Sequence, residues 1–262
     1  DNANLYATNP NGNAHIFHSV SPLVINGGEY KVDAYRASVL TSSDLTMNGG
    51  TLNANGTYDS YDTYNSNTTI NEGATLISKH TCVAGSGHTT NINGGTLSCS
   101  AYGIKGTQFN NTDNFGTVNI TGGNIVTSQD GIIGCGTVNV TGGTLTAAST
   151  AINLNHDSRG NSSSININGG TIKSLTGYGL YSNHDKNDIK IGEESKVVEG
   201  SEPYVEGTTG VYLNNGKANI DKANIVGKSE YGVYSGGTTT FGVDEEKLEA
   251  AVNAIAEAAV KA

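Results

Sequence analysis

The stretch Val118-Asn119-Ile120-Thr121-Gly122-Gly123 decides the fold. It returns as Val138-Asn139-Val140-Thr141-Gly142-Gly143 and again as Ile165-Asn166-Ile167-Asn168-Gly169-Gly170. Branched apolar residues alternate with polar ones, the period-2 pattern of a strand with one buried face, and Gly-Gly supplies a tight corner. Further copies read Leu23-Val24-Ile25-Asn26-Gly27-Gly28, Leu45-Thr46-Met47-Asn48-Gly49-Gly50 and Thr90-Asn91-Ile92-Asn93-Gly94-Gly95. Degenerate ones begin at Ile70, Ile189 and Ala218, which makes nine copies spaced 20 to 28 residues apart. A period in that range is the mark of a solenoid.

Each copy carries two more strand signals. A short one follows the Gly-Gly corner, as in Thr51-Leu52, Thr96-Leu97 and Thr171-Ile172. Another begins about eight residues beyond the corner as small-then-branched, as in Gly103-Ile104, Ala151-Ile152 and Gly210-Val211. Three strands per repeat predict a three-sided coil, and about nine coils stacked in parallel bury one continuous core. On these residues the chain resembles the right-handed parallel β-helix family, the architecture of pectate-lyase-like enzymes and of many bacterial surface proteins. The resemblance spans roughly residues 20–243.

Composition agrees. Of 262 residues, 36 are Gly, 32 Asn and 30 Thr, with 15% charged residues, so an all-β, turn-rich chain is expected. A net charge of −10 repels nucleic-acid phosphates and anionic membranes. No apolar stretch reaches the roughly 18 residues that span a bilayer. Neither nucleic-acid binding nor membrane insertion is expected. The three cysteines, Cys82, Cys99 and Cys135, are odd in number and lack a CxxC, which predicts neither a disulfide framework nor a zinc site. Cys82 and Cys99 fall on inward positions and read as core fillers.

Three regions are expected. Residues 1–20 fit no coil and read as an N-terminal cap, residues 21–243 form the β-helix, and from Asp244 the composition turns to Glu, Lys and Ala. Leu248, Val252, Ile255 and Ala259 then line one face of a short amphipathic C-terminal helix over 244–262, a cap or linker.

Several surfaces are candidates for function. The outward first-strand positions, such as Asn119/Thr121 and Asn139/Thr141, form a polar lattice, read as a solvated wall whose side chains bond from coil to coil rather than as an ice-matching face. The triplets Asn155-His156-Asp157 and Asn183-His184-Asp185 stand at equal offsets on neighbouring coils, near Arg159 and Lys186, and Asn214 would continue the Asn stack. Such a group has the acid, base and oxygen-ligand chemistry of a polysaccharide lyase or glycoside hydrolase, with Ca²⁺ as its possible cation. The hydrolase motifs Gly-His-Gly and Arg-Ile-Lys are missing, since Gly87-His88 is followed by Thr89. The acidic insertion from Glu199 to Glu206 lacks calcium-loop spacing, and no metal site is assigned.

Aromatic residues form the remaining candidate. Tyr181, Tyr212 and Tyr234 each follow a branched third-strand residue, with Tyr178 and Tyr231 nearby, and Tyr58, Tyr61 and Tyr64 recur at spacing three in an insertion. Rings that face outward offer packing surfaces for sugar C–H faces. The sequence therefore predicts a non-enzymatic, adhesin-like module, secreted or attached to a cell surface, that binds a glycan or surface partner through these tyrosines and needs no cofactor. The alternatives are an enzyme on an acidic polysaccharide and a subunit that assembles end to end through its caps.

Overall fold

The computed structural model describes residues 3–41, 43–58, 67–86, 88–107, 116–154 and 162–242, and over them the chain is an all-β parallel solenoid of the right-handed type. Among these residues there is no helix. The predicted C-terminal helix over 244–262 lies outside the described residues. The winding amounts to about eight turns where the sequence marker counts nine copies.

The coil has three walls. The first stacks the repeat strands Thr89–Ile92, Thr117–Ile120, Thr137–Val140 and Ser164–Ile167 in parallel, in the register that pairs Val118 with Val138 and Val138 with Ile165. The second wall is a ten-stranded sheet that begins at Asn4–Ser19 and ends at Asn224–Gly227. The third starts only at Val83–Ser86, because the earlier turns carry long second-wall strands, Glu29–Thr41 and Gly50–Tyr58, instead. Asn4–Ser19, which fits no repeat, pairs in parallel with Glu29–Thr41 and forms the edge of that sheet.

Side chains of like kind fall directly above one another. Leu76, Leu97, Ile125, Leu145 and Ile172 form one inward column, and Ile104, Ile132, Ile152, Leu180 and Val211 another, all buried. Each such side chain contributes about 1.5–3 kcal/mol relative to exposure, the only large favourable term available to a coil that cannot fold by itself. The glycine corner does two separate jobs. The second glycine holds a positive φ, +83° at Gly123, while a Cβ on the first would press into the coil beneath, 2.4 Å from the Thr121 carbonyl oxygen in the case of Gly142.

One prediction is overturned here. Cys82 and Cys99 are inward and buried as expected, yet they form a disulfide, with Cα atoms 5.5 Å apart and a separation of 17 positions along the chain. The alternation rule assigns each cysteine to the core but says nothing about which inward positions of adjoining walls meet across a corner. Cys135 is the free, buried thiol, pushed up to about 12 by burial.

Candidate functional site

The outer face of the first wall holds two amide ladders. Asn166 donates to Asn139, Asn139 to Asn119 and Asn119 to Asn91, at 2.9, 2.8 and 2.9 Å. Beside it Asn93 donates to Asn71, Asn71 to Asn48 and Asn48 to Asn26. An amide has both a donor and an acceptor end, so identical residues stacked at strand spacing satisfy one another in one direction along the axis. These side chains are committed to holding coils together.

Of the His/Asp group, His156, Asp157 and Arg159 lie outside the described residues. The other half is placed. The His184 Nδ1 atom stands 3.3 Å from an Asp185 carboxylate oxygen and accepts from the Lys186 backbone N–H at 3.2 Å. The Asp185 side chain is 78% exposed, a solvated position. The Asn stack also breaks here: an irregularity after Ser182 sets Asn183 opposite Asn215 rather than Asn214. Of the acidic insertion, buried Glu206 is paired with Lys228 and accepts from the Tyr204 hydroxyl, and these bonds hold its carboxyl below the usual range.

The tyrosines are where the fold concentrates distinctive chemistry. Tyr58 ends a strand, and its side chain, with Tyr61 and Tyr64, lies outside the described residues. The other five come together on the last coils. Third-wall register sets Tyr181 against Tyr212 and Tyr212 against Tyr234, with ring centroids 5.6 and 4.5 Å apart and nearly parallel planes. Tyr178 and Tyr231, each three residues earlier in its coil, add rings 4.6 Å from Tyr212 and 5.7 Å from Tyr234, tilted by 36° and 46°. Each contact contributes about 0.5–1.5 kcal/mol beyond buried area.

This geometry refines the expected platform. Tyr181, Tyr212 and Tyr234 use much of their ring faces on one another, whereas Tyr231 is tilted away and 54% exposed. Partial burial first, then the neighbouring phenols of Tyr234 and Tyr178, holds the Tyr212 hydroxyl above the ordinary tyrosine range, so it stays protonated at neutral pH. An open depression of about 550 Å³ lies among Tyr178, Tyr212, Tyr231 and Tyr234, completed by Ser229 and Glu230. The Glu230 carboxylate accepts from the Thr209 hydroxyl at 2.9 Å.

Sequence reading missed Ser229 and Glu230. The available signal was Glu230 directly preceding Tyr231, which stands at the same offset before Tyr234 as Tyr178 does before Tyr181. Among the described residues no three His, Cys, Asp or Glu side chains gather as a metal site would require. No protein-family model, curated protein or solved structure matches the chain.

Proposed function

We propose that the chain is an extracellular, adhesin-like β-solenoid of the bacterial surface type, a scaffold that binds a glycan-bearing partner through the tyrosine cluster of its last coils. The observation that carries this reading is the convergence of Tyr178, Tyr212, Tyr231 and Tyr234 with Glu230 around one open depression. Ring faces and edges pack against sugar C–H groups, and a carboxylate and hydroxyls bind sugar hydroxyls. The Cys82–Cys99 disulfide supports an oxidising compartment, where such bonds form and persist. A solenoid locked by amide ladders suits a rigid surface that displays a site without moving.

A glycan array tests it. The full chain is expected to give a reproducible set of signals that fall at least tenfold in Tyr231→Ala, while far-ultraviolet circular dichroism stays unchanged because Tyr231 is largely exposed. Signals that survive both Tyr231→Ala and Tyr178→Ala remove the site.

A further inference from the structure

The depression has a chemical bias that a neutral sugar does not require. Four of its six lining residues are tyrosines, the fifth is the carboxylate of Glu230, and no Lys or Arg lines it. The nearby cation, Lys228, is turned to a different task, pairing with Glu206 at 2.5 Å. Among the described residues Glu230 makes no ion pair, and its contact with Thr209 leaves its charge uncompensated. An aromatic ring presents a negative face, and the half-exposed ring of Tyr231 beside the Glu230 carboxylate makes the hollow an environment that favours a weakly hydrated cation.

The stacking supplies spacing as well as charge. Backbone hydrogen bonds run from Gly179 to Thr209 and from Gly210 to Tyr231, which puts Tyr178, Thr209 and Tyr231 in equivalent places on three successive coils. The two turn tyrosines are thus two strand spacings apart, roughly 10 Å along the axis. Between them the chain places the small, buried Thr209. A group seated midway along that interval would lie roughly 5 Å from each rung, within the roughly 6 Å reach of a cation over a ring.

We propose that the depression among Tyr178, Tyr212, Tyr231, Tyr234 and Glu230 receives a quaternary ammonium group, of the kind choline carries. The proposal rests on the reading of the tyrosine cluster as a binding surface and narrows its ligand to a quaternary ammonium substituent on the partner. A quaternary ammonium holds its water loosely and, having no proton to lose, keeps its charge at any pH. The hollow's open side lets the rest of the bearing molecule extend into solvent.

The test compares choline with 3,3-dimethylbutan-1-ol, which has the same shape and no charge, each titrated into the full chain. The sequence has no tryptophan, so intrinsic fluorescence reports on the tyrosines directly. Choline is expected to produce a saturable change, with the neutral alcohol at least tenfold weaker. Tyr231→Leu, which keeps apolar bulk but removes the ring face, is expected to lower choline affinity at least tenfold, and Glu230→Gln about fivefold. Equal affinity for the two probes, or no saturation with choline up to tens of millimolar, overturns the proposal. If glycan-array signals nonetheless disappear in Tyr231→Ala, only the ammonium assignment has failed. If those signals persist, the binding surface itself has been misplaced.

Discussion

The first wall of the solenoid and the end strands of its second wall are fastened by different chemistry. Along the first wall the outer face carries neutral ladders, from Asn166 to Asn91 and from Asn93 to Asn26, over columns of Ile, Val and Leu. Towards each end of the second wall a carboxylate takes over. At the N-terminal end Asp33 accepts from the Tyr6 hydroxyl at 2.8 Å and from the Asn55 amide at 2.5 Å, and pairs with Lys31 at 3.0 Å. At the other, Glu206 is bound by Tyr204 and Lys228, with Lys173 over the Tyr204 ring. A middle coil has the same neighbour above and below, so a self-complementary amide satisfies both sides, whereas like charges in that column would repel. Near the ends of the second wall the outward residues of successive strands differ, and a mixed set of Tyr, Lys and carboxylate fastens them without repetition. Irregularity is therefore concentrated where repetition stops, and the tyrosine cluster lies in that zone.

The comparison breaks most severely at a corner glycine of the middle. Gly123→Ala would hold a side chain at φ +83° with its Cβ 2.5 Å from the Gly94 carbonyl oxygen, backbone that cannot step aside. The expected cost is about 3–5 kcal/mol, read as a lower urea midpoint or loss of cooperative unfolding. An equal midpoint would show that the corners are not the rigid points of the coil.

Next in size are the fasteners themselves. Asn139→Leu leaves the Asn119 carbonyl and the Asn166 amide without their ladder partner and is expected to cost about 1–2 kcal/mol, with no dependence on pH between 2 and 7. Asp33→Asn is expected to cost a similar amount at neutral pH and nothing at low pH. Hydrogen bonds from Asn55, Lys31 and Tyr6 lower the Asp33 carboxyl from 3.8 to about 2. Because the folded value is depressed, the stabilisation is complete above the unfolded value and disappears as pH falls from about 4 to 2. Thermal melts of both variants at pH 7 and pH 2 separate the two kinds of fastener; parallel curves would mean that the two walls are not fastened differently.

The smallest effect sharpens the core. The Thr68 hydroxyl is buried without a hydrogen-bond partner among the described residues, in the column that runs from Leu45 to Thr90. Thr68→Val keeps the shape and removes the unpaired group, so it should raise stability by about 1 kcal/mol. A loss of stability would mean the hydroxyl has a role the column does not explain.

The fold was legible because each coil restates the same instruction: Val118, Val138 and Ile165 announce one wall, and their register followed without adjustment. What was hidden lies across corners and between coils. Nothing in the alternation told that Cys82 faces Cys99, that an irregularity after Ser182 shifts Asn183 to Asn215, or that Lys228 reaches Glu206 from the next coil. The tyrosine column itself could be read from equal offsets to Leu180, Val211 and Val233. The addition of Glu230 could not, since its place depends on how the turn before Tyr231 folds against Thr209.

The most direct test of the binding surface is nuclear magnetic resonance on the full chain with its 13 tyrosines isotopically labelled, titrated first with choline and then with the glycans that score on the array. The account predicts saturable shifts centred on Tyr178, Tyr212, Tyr231 and Tyr234, with Tyr6, Tyr35 and Tyr102 unmoved. Shifts confined to those distant rings, or spectra that do not change with any ligand that binds the chain, would contradict it.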